Sequence, residues 1–214
     1  MPVSSASSIV VRRLGRVDYL SILNRMRDFT ESRTASSDDE IWLLQHLPVY
    51  TQGISCQARP RAAGEAIPVV AADRGGQMTY HGPGQLVVYV LLDLKRRGLG
   101  VRRLVAVLEQ AVIDLLAQYG LHGARREGAP GVYVANAKVA ALGIRVRRGA
   151  SYHGLSLNVA MDLSPFLAID PCGFEGLAVT DLRSLGVDID LDVVAAQLVS
   201  ILVSELDCDS VEFL

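Results

Sequence analysis

The chain has 214 residues, half of them hydrophobic, and its 21 basic and 23 acidic side chains leave a formal net charge of -2. That length fits one domain with a substantial core, and the mixed charge, with no long run of one sign, lacks the electrostatic footprint of a nucleic-acid binder. The longest apolar stretches, such as Leu86 to Leu92, are much shorter than the roughly 18 residues a membrane span needs.

In chain order, "MPVSSASSIVVRRLG" offers only Ile9 to Val11 as consecutive apolar residues before Arg12 and Arg13. That is too few for a secretory segment, so a cytoplasmic protein is expected. Tyr19, Leu23, Met26 and Phe29 recur at helical spacing and predict an amphipathic first helix. "DEIWLLQHLPVYTQG" reads as a strand, "ARPRAAGEAIP" as a surface excursion, and "VVAADRGG" as a short apolar strand entering a glycine-rich loop. "QLVVYVLLDL" reads as a strand covered on both faces. Val101, Leu104, Val105, Leu108, Val112, Leu115, Leu116 and Tyr119 form one stripe between Gly100 and Gly120, the clearest helix of the chain. From Gly131 to Met161 the period changes to two, with turns at Ala135 to Ala137 and Arg148 to Ala150, giving a three-stranded meander. "LDVVAAQLVSILVSEL" predicts a closing helix. The expected fold class is α/β (α+β): residues 1–214 as one domain with a mixed, largely antiparallel sheet flanked by helices.

Four positions stand out against this background. Between Asp73 and Leu94 the chain packs Gly75, Gly76, Gly82, Pro83 and Gly84 just before the buried strand, which suggests a loop shaped around a ligand, although a glycine-rich loop can equally serve only to turn the chain. Cys172 sits in "IDPCGFEG" between a stiffening proline and a glycine, a setting that Cys56 and Cys208 lack. Three widely separated cysteines without a CxxC pair give neither a disulfide framework nor a zinc knuckle, so a cysteine that matters here matters singly. Period two places Lys138 with Ala140, Leu142, Ile144 and Val146 on the bulky apolar face of its strand. There it must reach solvent at the strand end, or be paired or neutral. His81 and His153 each precede a glycine in a repeated "YHG". With no acidic partner or metal spacing beside them, they read as structural histidines bonding to backbone.

Taken together, "RGGQMTYHGPGQLVVY", "KVAALGIRV", "YHGLSLNV" and "DPCG", in this order and spacing, resemble the lipoyl(octanoyl) transferases over about Val10 to Leu185. The resemblance implies a fold like that of biotin and lipoate protein ligases. It implies Cys172 as an acyl-thioester nucleophile and Lys138 as the lysine that activates it and serves as base. It implies substrate-binding segments at Arg74, Gly75, Gly76, Gln77, Met78, Thr79, Tyr80 and His81, at Ala141, Leu142 and Gly143, and at Gly154, Leu155 and Ser156. The expected partners are octanoyl-acyl carrier protein as donor and, as acceptors, the lipoyl domains of 2-oxoacid dehydrogenase E2 subunits and the glycine cleavage H protein. No cofactor, metal, nucleic acid or membrane is implied, and a monomer is expected.

Three departures accompany the match. Gln45 replaces an acidic residue, Ser156 stands where alanine is usual, and Asp181 where serine is usual, which bears on acyl-chain fit more than on the reacting groups. The glycine loop is expected to lie against the acyl chain and offer N–H groups to its carbonyl. Arg59, Arg61, Arg74, Arg96, Arg97, Arg147 and Arg148 are candidates for basic docking patches toward acidic partners. Two other readings stay open at this level. One is an ATP-dependent lipoate or biotin protein ligase, which needs no cysteine in "PCG"; the other is a silent lipoyl-domain scaffold in which Cys172 is an inert core thiol.

Overall fold

The computed structural model describes residues 8–56, 67–169, 177–208 and 210–214. The chain begins with β1 (Ser8–Val17) and α1 (Tyr19–Ser32), followed by β2 (Asp39–His46), β3 (Val49–Gln52), β4 (Val69–Ala71), β5 (Met78–His81) and β6 (Gln85–Leu91). Then come α2 (Val101–Gln118), the meander β7 (Gly131–Val134), β8 (Ala137–Arg147) and β9 (Ala150–Asn158), a single 3-10 turn at Ser164–Ala168, α3 (Leu191–Glu205) and β10 (Ser210–Phe213). A seven-stranded sheet runs β10-β1-β2-β6-β9-β8-β7, and a three-stranded sheet runs β4-β3-β5. β1 is parallel to β10 and β2, and the other pairs of the large sheet are antiparallel.

β6 shows why a continuous apolar run was needed. Leu86, Val88 and Val90 pack with α2 and α3 on one face of the sheet, while Val87, Tyr89 and Leu91 pack with Tyr19, Ile22, Leu23 and Met26 of α1 on the other. The sheet is therefore a middle layer, and α1 is held at its start by Asp18, whose side chain accepts from Ser21 N at 2.9 Å.

The elements differ from the sequence reading at four places. "DEIWLLQHLPVYTQG" is two strands, because Leu47 and Pro48 break it and β3 pairs into the small sheet instead. β1 and β10 were not anticipated. β10 is the edge strand and is defined by β1, about 200 residues away in sequence, while β1 lies between β10 and β2 and pairs with both. The closing helix is thus followed by a strand. In α2, Leu104, Leu108, Val112, Leu115 and Leu116 are buried as predicted, but Val107 and Ala111 join them while Val101 is 44% exposed. Val101 and Val105 line a cavity instead of the core.

A buried ionic knot ties the distant parts together. Asp39, 1% exposed at the start of β2, accepts from Arg33 Nη2 at 2.5 Å, Arg96 Nη2 at 2.8 Å and Arg97 Nε at 2.5 Å. Arg33 also bonds Leu91 O, and Arg97 bonds Leu206 O after α3. Arg97 is therefore spent inside the protein, and Arg96, though exposed, is committed to Asp39, Ala35 O and Ser37 O. Removing one partner of a buried pair leaves uncompensated charge. Asp39→Ala is accordingly expected to lower stability by about 3–5 kcal/mol, read from urea unfolding, whereas an unchanged midpoint would show that the arginines reach water without it.

Candidate active site

A cavity of about 380 Å³, within the roughly 300–1,000 Å³ of small-molecule sites, has its floor on the α1 side of the sheet and also takes in Val101 and Val105 of α2. Its floor is made by Gln85, Val87 and Tyr89 of β6, Ala141 and Gly143 of β8, and Gly154, Ser156 and Asn158 of β9. The small residues are what make room. A Cβ on Gly154 would stand 2.0 Å from Val88 O of the paired strand, and one on Gly143 would stand 3.0 Å from Arg74 Cδ and 3.2 Å from Gly75 O. Bare backbone here lets the glycine loop press onto β8, where Gly75 N donates to Ile144 O at 3.2 Å.

The cavity gathers Arg74, Gly75, Gly76, Gln77, Met78, Thr79, His81, Lys138, Ala141, Leu142, Gly143, Gly154, Leu155 and Ser156. These residues come from separate motifs of the sequence. Tyr80 does not join them. Strand alternation turns it away from the cavity, and its ring packs 5.5 Å from Tyr50 and 5.6 Å from Phe166. Cys172, with Arg59 and Arg61, lies outside the described residues.

Two members have structural duties that the sequence did not reveal. Arg74, 8% exposed, gives its guanidinium to Thr51 O at 2.7 Å, Gly75 O at 3.0 Å and Gln77 O at 2.9 Å, so it clips the loop to β3 and curls it around itself. Gly75, committed to Ile144 O, is likewise unavailable as a donor to a substrate carbonyl. Of the other candidate docking arginines, Arg147 pairs with Glu31 at 2.8 Å, and Arg148 reaches Glu31 O at 3.3 Å.

Lys138 is 3% exposed and does not reach solvent, and it is not on the face that period two assigned to it. Val132 pairs with Ala140 but Tyr133 pairs with Lys138, so Val139 is an extra residue in β8. Such a bulge inverts the alternation. Val139 and Ala140 both enter the helix-covered core, whereas Lys138 joins Ala141 and Gly143 at the cavity. Its Nζ donates to Pro130 O at 3.0 Å and stands 5.1 Å over the Tyr133 ring.

The histidines bond to side chains, and one has the acidic partner the sequence did not suggest. Asp73 accepts from His153 Nε2 at 2.9 Å, Tyr152 OH at 2.8 Å and Arg27 Nε at 2.9 Å. Burial pushes its carboxyl up, but those three donors outweigh it and hold the group well below the usual carboxylate range. His81 Nδ1 meets Gln85 Oε1 at 2.7 Å, Gln85 Nε2 donates to Asn158 Oδ1 at 2.9 Å, and Asn158 Nδ2 donates to Thr180 O at 2.9 Å. Because that chain ends on a backbone carbonyl, each amide orientation is fixed and His81 Nδ1 must be the donor. The two "YHG" copies therefore serve different networks. The departures from the family pattern also find partners: Gln45 Oε1 accepts from Gly84 N at 2.8 Å, and Asp181 accepts from Met161 N at 3.0 Å and Ser184 N at 2.8 Å. Among the described residues no three His, Cys, Asp or Glu side chains converge as a metal site.

Three comparisons place this geometry among known proteins. The profile of the lipoyl protein ligase A/B catalytic domain matches residues 18–203. An octanoyltransferase of Dechloromonas aromatica (strain RCB) is 54% identical over 198 residues, 92% of this chain and 97% of that protein. One of Thiobacillus denitrificans (strain ATCC 25259 / T1) is 59% identical over 181 residues, 85% and 83% of the two chains. Among solved structures, a bi-partite lipoate protein ligase from Thermoplasma acidophilum, described with its E2 lipoyl domain, superposes with a TM-score of 0.74 at 16% identity, covering 98% of this chain and 88% of that one. Biotin protein ligase from Aquifex aeolicus gives 0.56 at 14% identity, over 92% and 70%. At such identities the likeness is one of fold, and it is the fold expected from the sequence.

The buried histidines carry a pH prediction. Burial lowers His46 to about 4, against an opposing bond to Val17 O, and burial also lowers His81 and His153. A histidine held neutral when folded is protonated first in the unfolded chain, so stability is full above about pH 6.5 and is lost as pH falls toward the folded value. His46 alone should remove about 2 kcal/mol between pH 7 and 5. Urea midpoints measured at the two pH values check this, and a flat profile would contradict it.

Proposed function

The chain belongs to the lipoyl protein ligase A/B catalytic-domain family, and from that premise we propose that it transfers an octanoyl group from octanoyl-acyl carrier protein to a lysine of a lipoyl domain through a thioester on Cys172. The observation that carries this reading is the cavity itself. It is a partly open site with apolar walls from Met78, Val87, Val105, Leu142 and Phe166, with a buried lysine at its lining. The high identity to octanoyltransferases over most of both chains supports the same acyl group.

The flanks of the nucleophile's segment support its pairing with Lys138. On one side, Ile169 is buried with Met78, Tyr80 and Phe166, residues of which Met78 and Phe166 also line the cavity. On the other side, Lys138 N donates to Ala178 O at 2.8 Å and Thr180 N donates to Lys138 O at 3.0 Å. The segment leaving the loop thus runs along the lysine's own backbone.

The chemistry follows in two balanced steps. A free cysteine, with its ordinary pKa near ~8.5, is only a few per cent thiolate at neutral pH and needs activation. Lys138 supplies it, as an ammonium that attracts the thiolate or as an amine that takes the proton. The Cys172 sulfur attacks the donor's carbonyl, the bond to the carrier's sulfur breaks, and the carrier leaves as its thiol. The acceptor's lysine amine then attacks the acyl-cysteine, the amide forms, Cys172 is released, and Lys138 accepts the proton the amine loses. The oxyanion of each attack is met by loop backbone. With Gly75 N committed to Ile144 O, the candidate donors are Gly76 and Gln77, each such donor contributing about 2.7–4 kcal/mol. A thioester already carries the energy to acylate an amine, so no nucleotide is needed.

Incubation with octanoyl-carrier protein, without nucleotide, is expected to give one octanoyl adduct on a Cys172 peptide before any acceptor is added, discharged when a lipoyl domain arrives. Free octanoate with ATP is expected to give neither adduct nor product. Turnover from ATP and free acid, with none from the carrier thioester, would replace the transferase with a ligase.

Variants separate the two reacting groups. Cys172→Ala should abolish transfer while Cys56→Ala and Cys208→Ala keep most of it; retained turnover in Cys172→Ala sinks the covalent path. Lys138→Ala should cost about 10²–10⁴-fold. Lys138→Arg should not rescue it, because a guanidinium cannot accept the proton. Full activity of the arginine variant would reduce the lysine to a charge.

A further inference from the structure

Among the groups that hold Lys138 is one peptide group, which is itself held by a buried carboxylate with no role in the sequence reading. The carbonyl of Pro130 accepts from Lys138 Nζ at 3.0 Å, and the N–H of the same peptide unit, on Gly131, donates to Glu109 Oε1 at 3.0 Å. Glu109 stands on the core-facing side of α2, 7% exposed among leucines and valines, where an acid is costly unless its oxygens are taken. Its other oxygen, Oε2, accepts from Arg125 Nε at 3.1 Å. Arg125 in turn reaches Ala106 O and Gln110 Oε1, so the carboxylate is braced from its own helix.

We propose that Glu109 is a positioning residue for the acyl transfer, fixing the Pro130–Gly131 peptide so that its carbonyl orients the Lys138 amine toward the cavity; this rests on the reading of Lys138 as the activating base. The geometry favours orientation over simple tethering for two reasons. First, a carboxylate on the N–H polarises the peptide and strengthens its carbonyl as an acceptor for an ammonium, since linked hydrogen bonds reinforce one another. Second, the loop is pinned on both sides of that carbonyl. Tyr133 OH donates to Ala129 O at 3.0 Å, and Gly131 has φ +145 with no room for a side chain, a Cβ there standing 2.9 Å from Lys138 Cε. The bond to Pro130 O fixes one direction of the amine, and a general base must sit within hydrogen-bond reach of the proton it takes.

The test compares Glu109→Ala, Glu109→Gln and each combined with Lys138→Ala, measuring steady-state transfer from octanoyl-carrier protein. Glu109→Ala is expected to lower kcat about 10- to 100-fold, the scale of a hydrogen bond to a charged group, with KM for the carrier within about twofold. Glu109→Gln, whose amide oxygen can still accept from Gly131 N–H, should restore part of the loss. On Lys138→Ala, measured under single turnover, Glu109→Ala should add no further loss, because the residue acts through the lysine. An undiminished kcat in Glu109→Ala overturns the proposal, as does the same proportional loss with and without Lys138. If Glu109→Ala does not fold, Glu109→Asp, which keeps the charge but withdraws the acceptor from Gly131, makes the same comparison. Full activity in Lys138→Ala alone would remove the catalytic reading of the lysine; an impaired Lys138→Ala beside an unimpaired Glu109→Ala removes the Glu109 proposal and leaves the other standing.

Discussion

One extra residue in β8 determines what this fold can do. Without the bulge at Val139, strict alternation would send Lys138 into the helix-covered core beside Ala140, Leu142 and Ile144, where an ammonium has no favourable partner. With it, two successive apolar side chains enter that core and the lysine emerges on the opposite face, at the cavity. The bulge sits at the edge of the large sheet, where β7 is the last strand and an irregularity disturbs only one ladder. Placing a cation at the rim of an apolar site therefore costs the sheet little.

The cavity depends on the complementary device, which is subtraction. Gly143 and Gly154 are opposite each other on β8 and β9; a Cβ on Gly154 would run into Val88 O of β6, and one on Gly143 would crowd Arg74 and Gly75 O. The bare backbone of Gly143 lets Arg74 and Gly75 lie on the sheet, and Arg74 then turns its own loop into a rim by bonding Gly75 O and Gln77 O. An arginine in a binding segment invites a reading as a ligand cation. Here its charge is satisfied by carbonyls, and what it gives the site is shape.

The sequence was most informative where pattern is local. The α2 stripe, the meander and the two-faced β6 follow from periodicity, and most of the segments that meet at the cavity were picked out by motif resemblance. It was least informative where the cause is remote. β10 pairs with β1 across the whole chain, and the bulge shows only in the pairing of Val132 and Tyr133 with their neighbours. Asp73 and His153 are 80 residues apart, so neither could name the other in advance. Val101 was misplaced for a simpler reason. Periodicity says which residues share a face, but it does not say whether that face meets core or cavity.

The polar groups beneath the cavity show how such a site can be rigid without being charged. His46, His81 and His153 are all held toward their neutral forms by burial, so each ring must have one donor and one acceptor nitrogen, and the neighbours decide which. For His81 the decision comes from Thr180 O, passed through Asn158 and Gln85, and it makes Nδ1 the donor. The same Thr180 donates its N–H to Lys138 O. The short segment 178–180 thus sets the tautomer of a cavity-lining histidine and bonds the backbone of the lysine, in addition to that residue's pairing with Tyr133. A shift of that segment would therefore be felt at two walls of the cavity together.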